Sequence, residues 1–430
     1  MDIKEFNNHQ IKEKILFSKT KNGLNIYFMP KKGYTKKYAI FSTNYGSIDN
    51  KFIPIGEKDI LKVPEGIAHF LEHKLFEEPK VNIFDKFSKM GADVNAFTNF
   101  TQTSYLFTST DYFYENLELL VNFVQNPYLT DENVEKEKGI IAQEIKMYED
   151  SPGWRVYFNL LEAMYVDHPV KIDIAGTVES INTINKELLY KSYNTFYNPS
   201  NMVLFIVGDL SFDRIMEVIN KAEKEYGNLN KSIERIFDIE PNGINKKIIE
   251  ERMFTASPIF HIGFKDTDLG YNGEKKVKKD IVTNIILDIL IGASSSFYNE
   301  LYDEGLIDTS FGGYYTGKKL YGHSIIGGQS NNPEEVYERL MELISKPVNE
   351  ILKEKDFNRI KSKDLGSFLL GLNSIEFIAN NFTDLYFDDF LIIDYLDLLS
   401  KVQYEDIVNR FNEHFTQENV ALSIIRPLEV

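Results

Sequence analysis

The stretch GIAHFLEHKLFEE, residues 66–78, carries two of the chain's seven histidines, His69 and His73, with Glu72 between them. Four residues of an α-helix turn through about 400°, so imidazoles at this spacing leave the same face within reach of one ion. Glu72, three residues after His69, joins them there. Neutral imidazoles and a carboxylate are suitable zinc ligands, and a carboxylate beside an open coordination position can take a proton from an activated water. The order His-x-x-Glu-His is that of the inverted zincin motif. An exposed helix bearing His and Glu is ordinarily solvated surface, but so constrained a motif arises by chance in a histidine-poor chain only about once in a hundred.

A third ligand is still needed, and EKEKGIIAQEIKMYEDSP, residues 135–152, offers one. Glu137 and Glu144 are seven residues apart, hence on nearly the same helical face as Ile141. That arrangement can put Glu144 on the metal and Glu137 behind a histidine as its hydrogen-bond acceptor. His9, His168, His261, His323 and His414 have no partner at ligand spacing and read as structural.

The elements that must position these groups are legible in outline. Pro64 suits the first position of a helix, Glu65 its first turn, and Ile67, Phe70, Leu71 and Leu75 form an apolar face at helical spacing. LNIYFMP and KKYAIFSTNYGSID before it read as strands, GADVNAFTNFTQTSYLFTST after it as a strand pair, and about Asp131–Tyr148 as a long helix. Residues 226–246 lose periodicity and carry Pro241 and Gly243, the signature of a linker between residues 1–225 and 247–430. The two segments echo each other. INKELLYKSYNTFYNPSNMVLFIVGD pairs with VQYEDIVNRFNEHFTQENVALSIIRP, YENLELLVNFVQNPYLTDENVEKEKG with YERLMELISKPVNEILKEKDFNRIK, and HKLFEE with NELYDE. Two homologous α+β units are expected.

Composition bounds the chemistry. With no cysteine, thiolate nucleophiles, disulfides and cysteine metal sites drop out, leaving His, Asp and Glu as metal ligands. A net charge of −17 without a basic stripe argues against nucleic acid and anionic lipid as partners. The N-terminal segment lacks an uninterrupted apolar core and the longest apolar runs are too short to span a bilayer, so a cytoplasmic protein without a membrane partner is expected.

EGIAHFLEHKLFEE, GADVNAFTNFTQTSYLF, EKEKGIIAQEIKMYEDSP, HPVKIDIAGTVESI, YNPSNMVLFIVGDL and LYDEGLID, in this order, resemble the successive signatures of the pitrilysin, insulinase and mitochondrial processing peptidase family. The resemblance covers nearly the whole chain and is strongest to small two-domain bacterial members. It implies two processing-peptidase-like α+β domains, each a mainly antiparallel sheet with helices, closing as a clamshell around a peptide. It implies a zinc metalloendopeptidase with one Zn2+ per chain, bound by His69, His73 and Glu144, with Glu72 as general base and Glu137 in support. Asn95, Ala96, Phe97 and Thr98 match an edge strand to which an extended peptide substrate adds.

Setting HKLFEE against NELYDE places Ser295, Tyr298 and Asn299 opposite His69, Glu72 and His73, with Ser367 opposite Glu144, a set that cannot hold zinc. The family's second half instead supplies an arginine and a tyrosine that grip the substrate carbonyl, and their positions here fall on Tyr302 and Asp308. In the two-subunit branch a companion chain carries that pair. The resemblance therefore implies a heterodimer with a homologous zinc-less subunit, a homodimer being the other possibility, and a non-catalytic structural subunit is the competing reading.

Overall fold

The segment MVLFIVG is buried at every position, so it needs cover on both faces, and what covers it defines the architecture. The computed structural model describes residues 2–79, 82–224 and 232–428. In the first half the strands are β1 (Lys4–Asn8), β2 (Glu13–Lys19), β3 (Asn25–Pro30), β4 (Lys37–Thr43), β5 (Lys51–Ile53), β6 (Leu61–Lys62), β7 (Asp93–Thr98), β8 (Thr103–Ser109) and β9 (Met202–Gly208). Seven of them form one sheet in the order β1-β2-β3-β9-β4-β8-β7, antiparallel except for the β3/β9 pair. A small sheet joins β5 and β6 to β10 (Glu234–Arg235).

The second half builds a five-stranded sheet from β11 (Ile248–Met253), β12 (Ile259–Lys265), β13 (Gly312–Gly317), β14 (Gly322–Gln329) and β15 (Val420–Pro427), in the order β11-β15-β12-β14-β13. Only β11/β15 is parallel. Without β1 and β2, the first sheet has the same order with its parallel pair in the same place, so each half repeats one α+β plan. The α+β class and the two-lobed arrangement expected from the sequence are those of the structure.

Eight helices position the site and join the halves: α1 (Ile67–Leu75), α2 (Ile83–Lys89), α3 (Asp131–Glu149), α4 (Pro152–Met164), α5 (Gly273–Ile291), α6 (Ser296–Asp303), α7 (Glu354–Gly371) and α8 (Ile375–Phe387). Two helices separate the second and third strands of the repeat in each half, α1 and α2 in the first, α5 and α6 in the second. This corrects one sequence echo. NELYDE lies on α6, the counterpart of α2, whereas the counterpart of α1 is α5, GEKKVKKDIVTNIILDILI, which has no histidine. Ser295, Tyr298 and Asn299 are therefore not opposite His69, Glu72 and His73. Short amphipathic helices with acidic ends look alike in sequence, and only the element order separates them. The candidate metal group found among the described residues lies in the first half.

The halves are joined by an exchange of helices. Along β9, Val203, Phe205 and Val207 point to one face of the first sheet and Leu204 and Ile206 to the other, as strand alternation requires. The second set packs on the first half's own helices. The first set receives α8 from the second half, with the Phe205 and Phe382 rings stacked at 4.0 Å. Reciprocally, α4 of the first half lies on β12 and β15. The helix seats closely on β12 at Gly263, where a Cβ would meet Met164 Sδ at 2.6 Å. Residues 232–246 of the expected linker are also tied down. Arg235 of β10 pairs with Asp49 at 2.8 Å, and Glu240 accepts backbone N–H groups from Val166, Asp167 and His168. Among the described residues no single helix is long and apolar enough to cross a membrane.

His323 lies at this junction, wholly buried on β14, with Nδ1 and the Tyr165 hydroxyl 2.9 Å apart. Burial in an apolar setting pushes its pKa down to about 3. An unfolded histidine titrates near 6.5, so the neutral imidazole contributes stability fully above that pH and loses it as pH falls toward the folded value. Replacing His323 by Gln should make the slope of unfolding free energy against pH, measured by urea titration between pH 6.5 and 5, shallower by about 1 kcal/mol per pH unit on average. An unchanged slope would mean that the folded imidazole takes up its proton as readily as the unfolded one.

Candidate metal centre

α1 begins three residues later than Pro64 suggests, with Gly66 as its N-cap. Gly66 has φ +85°, and a Cβ there would lie 2.3 Å from the carbonyl oxygen of Ala175. A Cβ on Gly176, at φ +75°, would lie 2.6 Å from the Glu65 carbonyl oxygen, and the Ser180 hydroxyl donates to that carbonyl at 2.9 Å. Two backbone segments thus cross at the start of α1, and contact at that distance excludes side chains. From this anchor, Ile67, Phe70, Leu71 and Leu75 turn into the core, as their spacing predicts. His69, Glu72 and His73 turn toward a cavity of about 230 Å³, lined also by Ala96, Phe97, Thr98, Glu144, Tyr148, Trp154, Ile174 and Ala175.

α3 supplies the facing groups. Glu144 Oε1 is 3.7 Å from His69 Nε2 and Glu144 Oε2 is 3.5 Å from His73 Nε2. One ligand atom from each of His69, His73 and Glu144 lies within 4.8 Å of the others, a spacing that one ion can bridge. Two turns earlier on α3, Glu137 Oε1 is 3.1 Å from His73 Nδ1. That contact favours the tautomer with the proton on Nδ1 and the Nε2 lone pair free to face a cation. The Thr98 hydroxyl donates to Glu72 Oε2 at 2.7 Å.

The charges favour a cation. Burial first, and then the neighbouring His73, push the His69 pKa down to about 4, so its ring is neutral at ordinary pH. Burial alone would lower the His73 pKa too, but its contact with Glu137 and the nearby Glu72 and Glu144 carboxylates outweigh burial and raise it. Burial also raises the Glu72 pKa, with the Thr98 hydrogen bond opposing. For Glu137, burial is outweighed by His73 and Lys74, which hold it below the usual carboxylate range. Three carboxylates against the single ammonium of Lys74 leave a negative excess that a divalent cation relieves. His69 Nδ1 is buried with no hydrogen-bond partner, so this ring is held by packing. Two imidazoles and a carboxylate around one open side fit zinc.

The sequence expectations divide here. His69, Glu72, His73, Glu137 and Glu144 come together in space, and Ala96, Phe97 and Thr98 line the same cavity from β7, an edge strand of the first sheet. Asn95 does not line it; its side chain is exposed and accepts from the Ala96 N–H at 2.9 Å. Tyr302 is 47% exposed at the end of α6, Asp308 is also exposed, and neither lines the cavity. Sequence reasoning missed two aromatic groups. The Tyr148 hydroxyl donates to Glu144 Oε1 at 2.7 Å, and its ring stacks on Trp154 at 4.4 Å. Tyr148 follows Glu144 by four residues, a spacing that could have been read from the helix; Trp154 lies on another helix and could not.

The comparisons with known proteins point the same way. Residues 61–178 match the family model described as insulinase (peptidase family M16), and residues 183–363 match the peptidase M16 inactive domain. The chain is 42% identical over 427 residues to a protein of Bacillus subtilis described as uncharacterized zinc protease YmfH, covering 99% of each chain. It is 23% identical over 425 residues to zinc protease PqqE of Helicobacter pylori, covering 95% of this chain and 91% of that one. The crystal structure of an M16-like peptidase from Alicyclobacillus acidocaldarius is similar with a TM-score of 0.93 at 36% identity, covering 100% of this chain and 99% of the other.

Replacing Gly66 by Ala should destabilise the protein by about 2 kcal/mol or more, since a side chain must enter the left-handed region and meet a backbone carbonyl. A melting temperature equal to that of the wild type would show that residues 175 and 176 give way freely.

Proposed function

The chain belongs to the insulinase family of M16 peptidases, and on that premise we propose that it is a zinc-dependent endopeptidase acting on short or unfolded peptides. The observation that carries this reading is the meeting of His69, His73 and Glu144 with Glu72 in one cavity beside the free edge of β7. His69 Nε2, His73 Nε2 and Glu144 would hold the ion. Zinc bound there supplies Lewis acidity, making a water a nucleophile at neutral pH and polarising a peptide carbonyl.

The remaining work falls to the chain's own groups. Backbone groups of Ala96–Thr98 on β7 pair with an extended peptide, which brings affinity with little sequence preference. Glu72, kept in place by Thr98, takes the proton from water and passes it to the leaving amine. Glu137 holds the His73 ring. A folded protein presents few unpaired strand edges, so an extended or unfolded chain adds to β7 more readily.

A tetrahedral oxyanion also needs donors where its charge develops, and losing one donor typically costs about 100- to 1,000-fold in rate. Tyr302 and Asp308 stand where the family resemblance expects the arginine and tyrosine that serve this purpose. We therefore assign those donors to a homologous, zinc-less partner subunit, which would close over the cavity to form a chamber.

The test uses the zinc-loaded chain and an unfolded peptide library, with and without the homologous partner. Cleavage should require zinc, rise about 100-fold or more when the partner is added, and fall about 100- to 10,000-fold in Glu72→Gln with zinc content unchanged. Full activity of the chain alone would remove the partner from the reading. Bound zinc with no cleavage under any arm would leave a structural subunit.

A further inference from the structure

Lys74, the residue after His73, is wholly buried. Its ammonium meets Glu77 Oε2 at 2.5 Å, the Asn133 carbonyl oxygen at 3.1 Å and Glu137 Oε2 at 3.4 Å. Burying an ammonium carries a large desolvation cost that its partners must offset, and well-packed apolar residues of similar volume are often neutral or better for stability. A lysine in this slot is therefore a poor device for stability alone, while its partners all belong to the framework of the metal centre.

We propose that Lys74 is a positioning residue for the metal centre, acting on the ion through Glu137. The inference rests on the reading that His69, His73 and Glu144 bind zinc. Glu137 divides its carboxylate, with Oε1 against His73 Nδ1 and Oε2 against Lys74. Held by both oxygens, the group cannot rotate about its terminal torsion, and His73 keeps an acceptor for its Nδ1–H. Held by one, the carboxylate gains a soft, roughly two-fold rotation and the imidazole gains freedom of tautomer and tilt. Lys74 also ties the last turn of α1 to the first turn of α3 through the Asn133 carbonyl. Glu137 lies one turn further along α3 from Asn133, so the same tie steadies the Glu137 carboxylate against the ammonium. Glu77 is a second carboxylate against the ammonium and helps offset the cost of burying it.

The measurement is zinc affinity of the apo protein by competition with a chromogenic chelator, for wild type, Lys74→Met, Glu137→Gln and the double variant. Each single substitution should weaken binding by about 10- to 100-fold, the size seen when groups supporting a metal ligand are removed. The double variant should bind no more than about threefold more weakly than the worse single, because both act through the same contact. A general loss of packing would not produce that non-additivity. Lys74→Gln, which keeps an amide donor in a similar volume, should fall between wild type and Lys74→Met, and it serves if the methionine variant does not fold. Wild-type affinity in the folded lysine variants, or losses that multiply in the double variant, would overturn the proposal. Wild type that binds no zinc would instead overturn the parent reading.

Discussion

The arrangement of this protein depends on one packing event, the burial of a helix from each half against the sheet of the other. α8 covers the face of the first sheet that its own helices leave bare, and α4 does the same for the second. Each sheet is thereby apolar on both faces, which is why β9 reads as an unbroken hydrophobic run. The exchange also fixes the corner between α3 and α4. Glu144 and Tyr148 stand near the end of α3 and Trp154 near the start of α4, so anchoring α4 in the second half holds the aromatic pair that orients the candidate metal carboxylate.

Within that frame the centre is a problem in managing like charges. Glu72, Glu137 and Glu144 sit around two imidazoles in a half-enclosed space, each with a different neighbour: a threonine hydroxyl, a buried lysine and a tyrosine hydroxyl. The neighbours differentiate three chemically identical groups. Burial raises the Glu72 pKa, while His73 and Lys74 hold that of Glu137 below the usual carboxylate range. One carboxylate is thus suited to exchanging a proton and another to holding a ring.

Much of this was legible in the chain because helical geometry converts spacing into proximity. His69 and His73 at four residues, and Glu137 and Glu144 at seven, fall on common faces whatever surrounds them. The β7/β8 hairpin was legible from alternation. Other features depend on contacts distant in sequence. Nothing in PGWRVYFNLLEAM tells which sheet α4 will cover, and nothing around Lys74 announces that its ammonium is buried. The false echo between HKLFEE and NELYDE has a related cause, since a short helix carries too few constraints to be told from its neighbour. Pro64 misplaced the start of α1 because the crossing at Gly66 and Gly176, not local propensity, decides where that helix begins.

A strand left open to receive a peptide is equally open to another copy of itself, and unpaired edges are where sheets aggregate. β7 shows how the hazard can be contained without closing the edge. Asn95 occupies the Ala96 N–H with its own side chain, a local cap that a neighbouring strand would have to displace. Asp93, exposed at the beginning of the strand, adds a charge that stacked copies would bring together. Thr98, at the other end, is drawn inward by Glu72. The open stretch is thereby shortened to a few residues at the cavity wall, too short to seed a sheet.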